Sequence, residues 1–384
     1  MTDTPVSLLT AKTRIRTHDR MSFKRCRVFW EYTSPNRYNY TPIRPSIPLV
    51  FGTALHKGLE VLYNPETASD PREFVVQESL AAFVNSLREG MGEYFTEDNK
   101  LEHESLGREM IQHYVRWIAT ADLDWEVVFT EVPFSIPIPL TQVGASEYSN
   151  ISYYTDPGSD THYLAERVSI EGLGTVTVPV RYEGQLDLVV RHKRTGRVII
   201  WDTKSTARLD VDGYGWLELD QQINAYYWAA RNVLNIDVSG VGFNILKKSA
   251  PDEPELVYKG KALSKAKHQS TTKELYNKAI ERYGFDPNDY AEFLASYEEP
   301  TYFHREEVIK FDTDLRMIEK FIAWEAMDII NKETKIYPNP NELNCKYCAF
   351  QAPCKIRHSG QDDIRWIDTS GLYVKNTSYG APVV

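Results

Sequence analysis

The sequence predicts an α/β fold with a mixed central β-sheet flanked by helices, and three observations carry that prediction. Residues 52 to 120 place apolar residues three and four apart, as in "FGTALHKGLEVLY", "VVQESLAAFVNSLREGM" and "REMIQHYVRWIA", the period of amphipathic helices. Residues 125 to 206 turn to β-rich runs, of which "TVTVPVRYEGQLDLVV" and "RTGRVIIWDTKS" read as two strands joined by a turn at Arg194 to Gly196. Helix returns in "LELDQQINAYYWAARNVL", and a strand in "VSGVGFNILKK" closes the sheet.

The elements follow in order. Residues 1 to 30 are basic and aromatic, and a Pro-, Asn- and Tyr-rich loop runs from Thr33 to Pro48. The first helix begins at Gly52 and Thr53 with Leu55, Leu59 and Leu62 at helical spacing, which puts His56 about one turn in. Residues 250 to 300 are Lys-rich, partly helical and read as an insertion. A helix at 312 to 332 precedes a Pro- and Asn-marked loop holding three of the four cysteines. Residues 1 to 356 are expected to form one domain, and 357 to 384, with no periodic signal, a loosely packed tail.

A chain of 384 residues can bury a sizeable core without staples. Its formal charge of −10 excludes a surface coated in basic residues for indiscriminate nucleic-acid binding, but not a local basic groove. Two basic clusters stand out: Lys12, Arg14, Arg16, Arg20, Lys24, Arg25 and Arg27, then Lys259, Lys261, Lys265, Lys267 and Lys273. Each read alone is a solvated face. The N-terminus lacks the apolar core of a signal peptide, and no run of about 18 apolar residues could span a bilayer. A cytoplasmic, non-membrane protein is therefore expected, in which Cys26, Cys345, Cys348 and Cys354 would not form two structural disulfides.

The candidate site lies in "YEGQLDLVVRHKRTGRVIIWDTKST". Residues two apart on a strand share a face, so Asp202 and Lys204 project together, and the turn brings Asp187 to a similar height on the neighbouring strand. Paired carboxylates in a half-apolar setting repel one another unless a cation sits between them. Mg²⁺ or Mn²⁺ meets that need and can polarise a phosphate and acidify a water, while Lys204 could orient or deprotonate that water or neutralise charge developing on the phosphate. A purely structural role, Asp187 capping a turn and Asp202 pairing with Lys204, fits the two strands equally well.

The pattern Gly184 to Asp187 followed by Asp202-Thr203-Lys204 resembles the PD-(D/E)XK nuclease superfamily, whose fold is restriction-endonuclease-like. The G-x-x-x-H of Gly52 to His56 and the Q-x-x-x-Y of Gln222 and Tyr226 are similar to signatures of its RecB-like branch. The resemblance implies a metal-dependent deoxyribonuclease in which His56, Asp187, Asp202 and the Thr203 carbonyl bind the ion, Lys204 assists the water, and Gln222 and Tyr226 position the strand. Glu131, opening "EVPFSIPI", is placed as a more distant carboxylate.

The cysteine spacing C-x₂-C-x₅-C with one remote partner supplies four thiolates, which suit zinc or an iron–sulfur cluster. Three local ligands and one distant one favour the cluster over two CxxC pairs. This one-plus-three pattern resembles the iron–sulfur RecB-like nucleases, including the AddB nuclease domain and the CRISPR-associated RecB-like exonucleases, and implies a [4Fe–4S] cluster clamping the two ends of the domain. By the same resemblance the substrate is single-stranded DNA degraded from an end, in recombination, repair or phage replication, with a helicase or recombination partner in view. The rival class is a DNA-binding or adaptor module without nuclease activity. Intact Asp187, Asp202 and Lys204 argue against it.

Overall fold

The structure, a computed structural model, describes residues 14–140, 150–170, 174–209 and 213–376. A six-stranded mixed sheet organises it. β7 (Arg181–His192) forms an antiparallel ladder with β3 (Trp125–Pro137) along one edge. Its other edge is shared: β1 (Arg14–Arg16) pairs in parallel with residues 181–183, and β8 (Val198–Thr206) pairs antiparallel with residues 188–191. β9 (Val238–Lys247) runs parallel to β8, and β12 (Phe303–Ile309) lies antiparallel outside β9. The strand at 238–247 therefore does not close the sheet. The edge strand beyond it, "FHREEVI", keeps only Phe303 and Val308 buried, so the alternation that marks a strand is mostly missing from its sequence.

Each face of the sheet carries its own core. Helices α3 (Ile47–Leu62), α4 (Arg72–Met91) and α5 (Glu97–Ala121) cover one face with Leu55, Phe83, Ile111 and Tyr114 against Leu188, Ile199 and Trp201. Helices α6 (Gln221–Val233) and α9 (Asp312–Ile330) cover the other with Ile223, Trp228, Ile322 and Ala326 against Val189, Ile200 and Phe243. Helix α3 starts five residues before Gly52 because Pro48 sits in its first turn, where its missing N–H costs nothing. His56 is consequently in the middle of the helix rather than one turn in.

Three smaller features depart from the sequence reading. "TVTVPV" and "RYEGQLDLVV" are separate strands, because residues 174–179 turn off into a three-stranded sheet, β4-β5-β6 (Ile151–Thr155, His162–Ile170, Gly174–Pro179). Residues 248–302, which join adjacent strands β9 and β12, contain a hairpin, β10-β11 (Leu256–Val257, Ala262–Leu263), and helices α7 (Lys273–Tyr283) and α8 (Asn288–Ser296) around a small core of Leu263, Tyr276, Ile280 and Tyr290. The expected loose tail is packed over residues 363–375: helix α12 (Asp363–Ser370) buries Ile367, and β13 (Tyr373–Lys375) pairs with β2 (Tyr40–Pro42). A short helix and a three-residue strand are too brief for periodicity to reveal.

Candidate metal and nucleic-acid site

The site forms where β7 changes partners. Residues 184–187 lie between its pairing with β1 and its pairing with β8, and side-chain alternation shifts phase there: Tyr182 and Leu186 enter one core, Leu188 and Val190 the other. The first N–H of β8 beyond the ladder's site end finds a carboxylate instead of a carbonyl, since Thr203 N donates to Asp187 Oδ2 at 2.9 Å. Gly184, the glycine of G-x-x-D, is required by packing; a Cβ there would come within 2.5 Å of the Phe134 ring. Gly52 is under no such pressure, its nearest neighbour to an added Cβ being Ser205 Oγ at 3.8 Å.

His56 reaches in from α3, its Nδ1 3.3 Å from Asp187 Oδ2. Glu131 arrives from β3. Its φ of +50° is left-handed, rare for a bulky residue inside a strand, and such irregularities re-aim side chains next to functional sites. His56, Glu131 and Asp187 each bring one donor atom within 4.8 Å of the others. Glu131, expected from the sequence as an outer-shell carboxylate, thus stands with His56 and Asp187 in the inner group; the left-handed backbone at this position leaves no mark in the residue pattern. Asp202 stands beside this group, 2% exposed, with its Oδ2 2.6 Å from Lys204 Nζ.

A polar chain continues from Lys204. Its ammonium donates to Gln222 Oε1 at 2.7 Å, and Gln222 Nε2 donates to the Tyr226 hydroxyl at 2.9 Å. The Q-x-x-x-Y pair lies one turn apart on α6. Asp220 caps that helix by accepting from Gln222 N and Ile223 N, which fixes where Gln222 starts. All seven side chains and backbone groups singled out from the sequence (His56, Asp187, Asp202, Thr203, Lys204, Gln222, Tyr226) therefore meet in one connected cluster. Beneath β8, Thr203 Oγ1 and Asn244 are linked to Arg305, whose guanidinium contacts Asp122, Tyr63 and Tyr114.

Electrostatics set the protonation states. Burial raises the carboxyls of Asp187 and Asp202, and Glu131 is pushed up to about 8 by burial and by the Asp187 charge. Burial lowers His56, favouring the neutral imidazole that binds metals. Burial also acts to lower Lys204, but the Asp202 carboxylate outweighs it and the ammonium keeps its proton. Burial and the two aspartates raise Tyr226 well above the usual phenol range. Three carboxyls that resist ionising side by side form a site that a divalent cation would relieve.

The cluster opens into a groove of about 450 Å³ that His56, Glu131, Thr203 and Lys204 line together with Leu49, Lys57, Glu60, Gln185 and Lys248. Lys57 and Lys248 carried no motif; one merely follows His56 and the other lies just beyond the end of β9. The N-terminal basic cluster, by contrast, is only partly a solvated face: Lys24 and Arg25 are exposed, but Arg14 and Arg20 are buried. Arg14 pairs with Glu183, and Arg20 and Lys24 with Glu325; Lys12 lies outside the described residues.

All four cysteines line a second cavity of about 320 Å³, walled by Val28, Phe29, Tyr32 and Phe350. Cys26 separates α1 (Thr17–Arg25) from α2 (Arg27–Thr33), and its Sγ accepts from Asn339 N at 3.5 Å. Burial and neighbouring thiols raise Cys348 and Cys354.

The model of the PD-(D/E)XK nuclease superfamily matches residues 21–355, a span that contains the groove residues and all four cysteines. No curated protein matches the sequence. Among the described residues, no helix is long and apolar enough to cross a membrane.

Proposed function

Because the chain belongs to the PD-(D/E)XK nuclease superfamily, a family of metal-dependent nucleases, we propose that it is a Mg²⁺- or Mn²⁺-dependent exonuclease degrading single-stranded DNA from an end. The observation that carries this reading is the convergence of His56, Glu131 and Asp187 within 4.8 Å, with the Asp202–Lys204 pair alongside. Octahedral sites with bonds of about 2.0–2.1 Å hold their donors roughly 2.9–4.2 Å apart, so a small contraction suits these residues to the ion. Asp202 and the Thr203 carbonyl complete the ligand set. A divalent cation bound there supplies Lewis acidity toward the phosphate and a more acidic water.

The chain's own groups do the rest. Lys204, held protonated by Asp202, faces charge developing on the phosphate and acts there as a cation. Gln222 fixes the ammonium's position and, with Tyr226, offers polar contacts to the strand. Neutral His56 needs to lose no proton on binding the ion.

The four cysteines are assigned to a structural [4Fe–4S] cluster. Zinc–thiolate bonds of about 2.3 Å require sulfurs roughly 3.8 Å apart. The one-plus-three spacing of the cysteines and the apolar cavity that all four line support the larger centre over zinc. The setting proposed is recombination, repair or phage replication, with a helicase or recombination partner.

The test is cleavage of end-labelled linear single-stranded DNA, with a circular control, by wild type and Asp202→Ala in Mn²⁺, Mg²⁺ and EDTA. Metal-dependent loss of the linear substrate by wild type alone is expected. Equal loss of the circle would contradict the exonuclease mode, and no loss from cluster-loaded wild type would favour a binding module.

A further inference from the structure

The segment entering α6 presents apolar side chains to solvent beside the catalytic lysine. Leu217 is fully buried and anchors it, while Trp216 and Leu219 on either side are 53% and 82% exposed. The segment is rigidly held: Lys310 Nζ and Asn224 Nδ2 both donate to Glu218 O, and Tyr214 stacks on the His304 ring with centres 5.5 Å apart. Solvent exposure of a tryptophan and a leucine on a braced segment is not explained by the core, which Leu217 already serves.

Its position supplies a reason. The Trp216 ring packs edge-on against Phe243 at 6.3 Å, and the face of Phe243 carries Lys204 Nζ at 5.6 Å. Trp216 is thus one ring removed from the ammonium, and its segment ends in the Asp220 cap that places Gln222. We infer that Trp216 is a base-stacking residue, holding a nucleobase of the single strand next to the phosphate addressed by Lys204, with Leu219 extending the apolar platform. This rests on the nuclease reading. Aromatic stacking is tolerant of sequence and binds exposed bases that a paired duplex hides, so it would also favour single-stranded over double-stranded ends.

The experiment compares wild type, Trp216→Ala and Trp216→Phe for binding, in EDTA, to an oligothymidylate and to an abasic oligomer of the same length. One base stack corresponds to a loss of about 5- to 150-fold in affinity. Trp216→Ala should lose that much for oligothymidylate and nothing for the abasic oligomer, Trp216→Phe should retain most of the affinity, and only oligothymidylate should quench the Trp216 part of the wild-type fluorescence. Equal weakening toward both oligomers, or no weakening, would overturn the proposal; the latter would leave the platform as a protein-docking surface. Cleavage by wild type in Mn²⁺ is scored separately. If wild type binds and cleaves while Trp216→Ala binds identically, the Trp216 role alone falls; if wild type neither binds nor cleaves, the nuclease reading falls with it.

Discussion

Replacing Glu131 by glutamine should change stability in opposite directions with and without metal. Burial and the Asp187 charge raise the Glu131 carboxyl from 4.5 to about 8, so the folded protein favours the protonated form. A folded-state value above the unfolded one gives stability that is present below pH 4.5 and is lost as pH rises through 8. At about 1.4 kcal/mol per unit the ceiling is roughly 5 kcal/mol; the side chain is partly solvated by the groove, which reduces the effect to about 1–2 kcal/mol. Glu131→Gln keeps the shape and removes the ionisation. In EDTA its melting temperature should equal that of wild type near pH 4.5 and exceed it by about 1–3 °C at pH 9. Added Mn²⁺ should reverse the order, because a ligand stabilises the folded state in proportion to its affinity and an amide oxygen is the weaker donor. A difference independent of pH, or equal gains from Mn²⁺, would refute a metal-facing Glu131.

Other consequences follow from the same contacts. Lys204→Gln removes the cation beside the phosphate and should lower kcat by about 10²–10⁴-fold with the fold intact by circular dichroism. Gln222→Ala removes one of the two side-chain acceptors of the Lys204 ammonium and leaves Asp202 as the other, a loss of about 1–3 kcal/mol, and should shift the alkaline limb of the pH–rate profile as well as the rate. Cys26→Ala should abolish brown colour and lower the melting temperature; unchanged colour would remove Cys26 from the cluster. The ends should nevertheless stay docked on limited proteolysis, since Arg357 ties Glu31 to Asp363 and the Tyr32, Phe350 and Tyr373 rings stack independently of the thiols. Asp122→Ala strands the buried Arg305 charge behind β8 and should cost about 3–5 kcal/mol by urea titration.

Much of the site was legible in the sequence because strand and helix periods translate directly into faces. Asp202 and Lys204 two apart, Gln222 and Tyr226 four apart, and Asp187 across a Gly196 turn needed only local geometry to converge, and His56 sits in one motif on one helix. Glu131 could not be weighed correctly, since its approach depends on a left-handed backbone inside β3 and a phase change in β7, neither of which alters the apolar pattern. The same limit applies to the sheet: β12 is a charged edge strand, and β1 pairs with β7 across more than 160 residues of sequence. Arg14 and Arg20 looked solvated because their partners, Glu183 and Glu325, are distant in the chain. Local rules see periodicity; long-range pairing enters only with the fold.

The most direct test of the metal site is an anomalous difference map from crystals soaked in Mn²⁺. One strong peak bonded to Asp187, with His56, Glu131 and Asp202 around it at about 2.0–2.3 Å and Lys204 outside its ligand sphere, is the predicted result. Manganese bound elsewhere on the chain, with these four side chains left as they are, would contradict it.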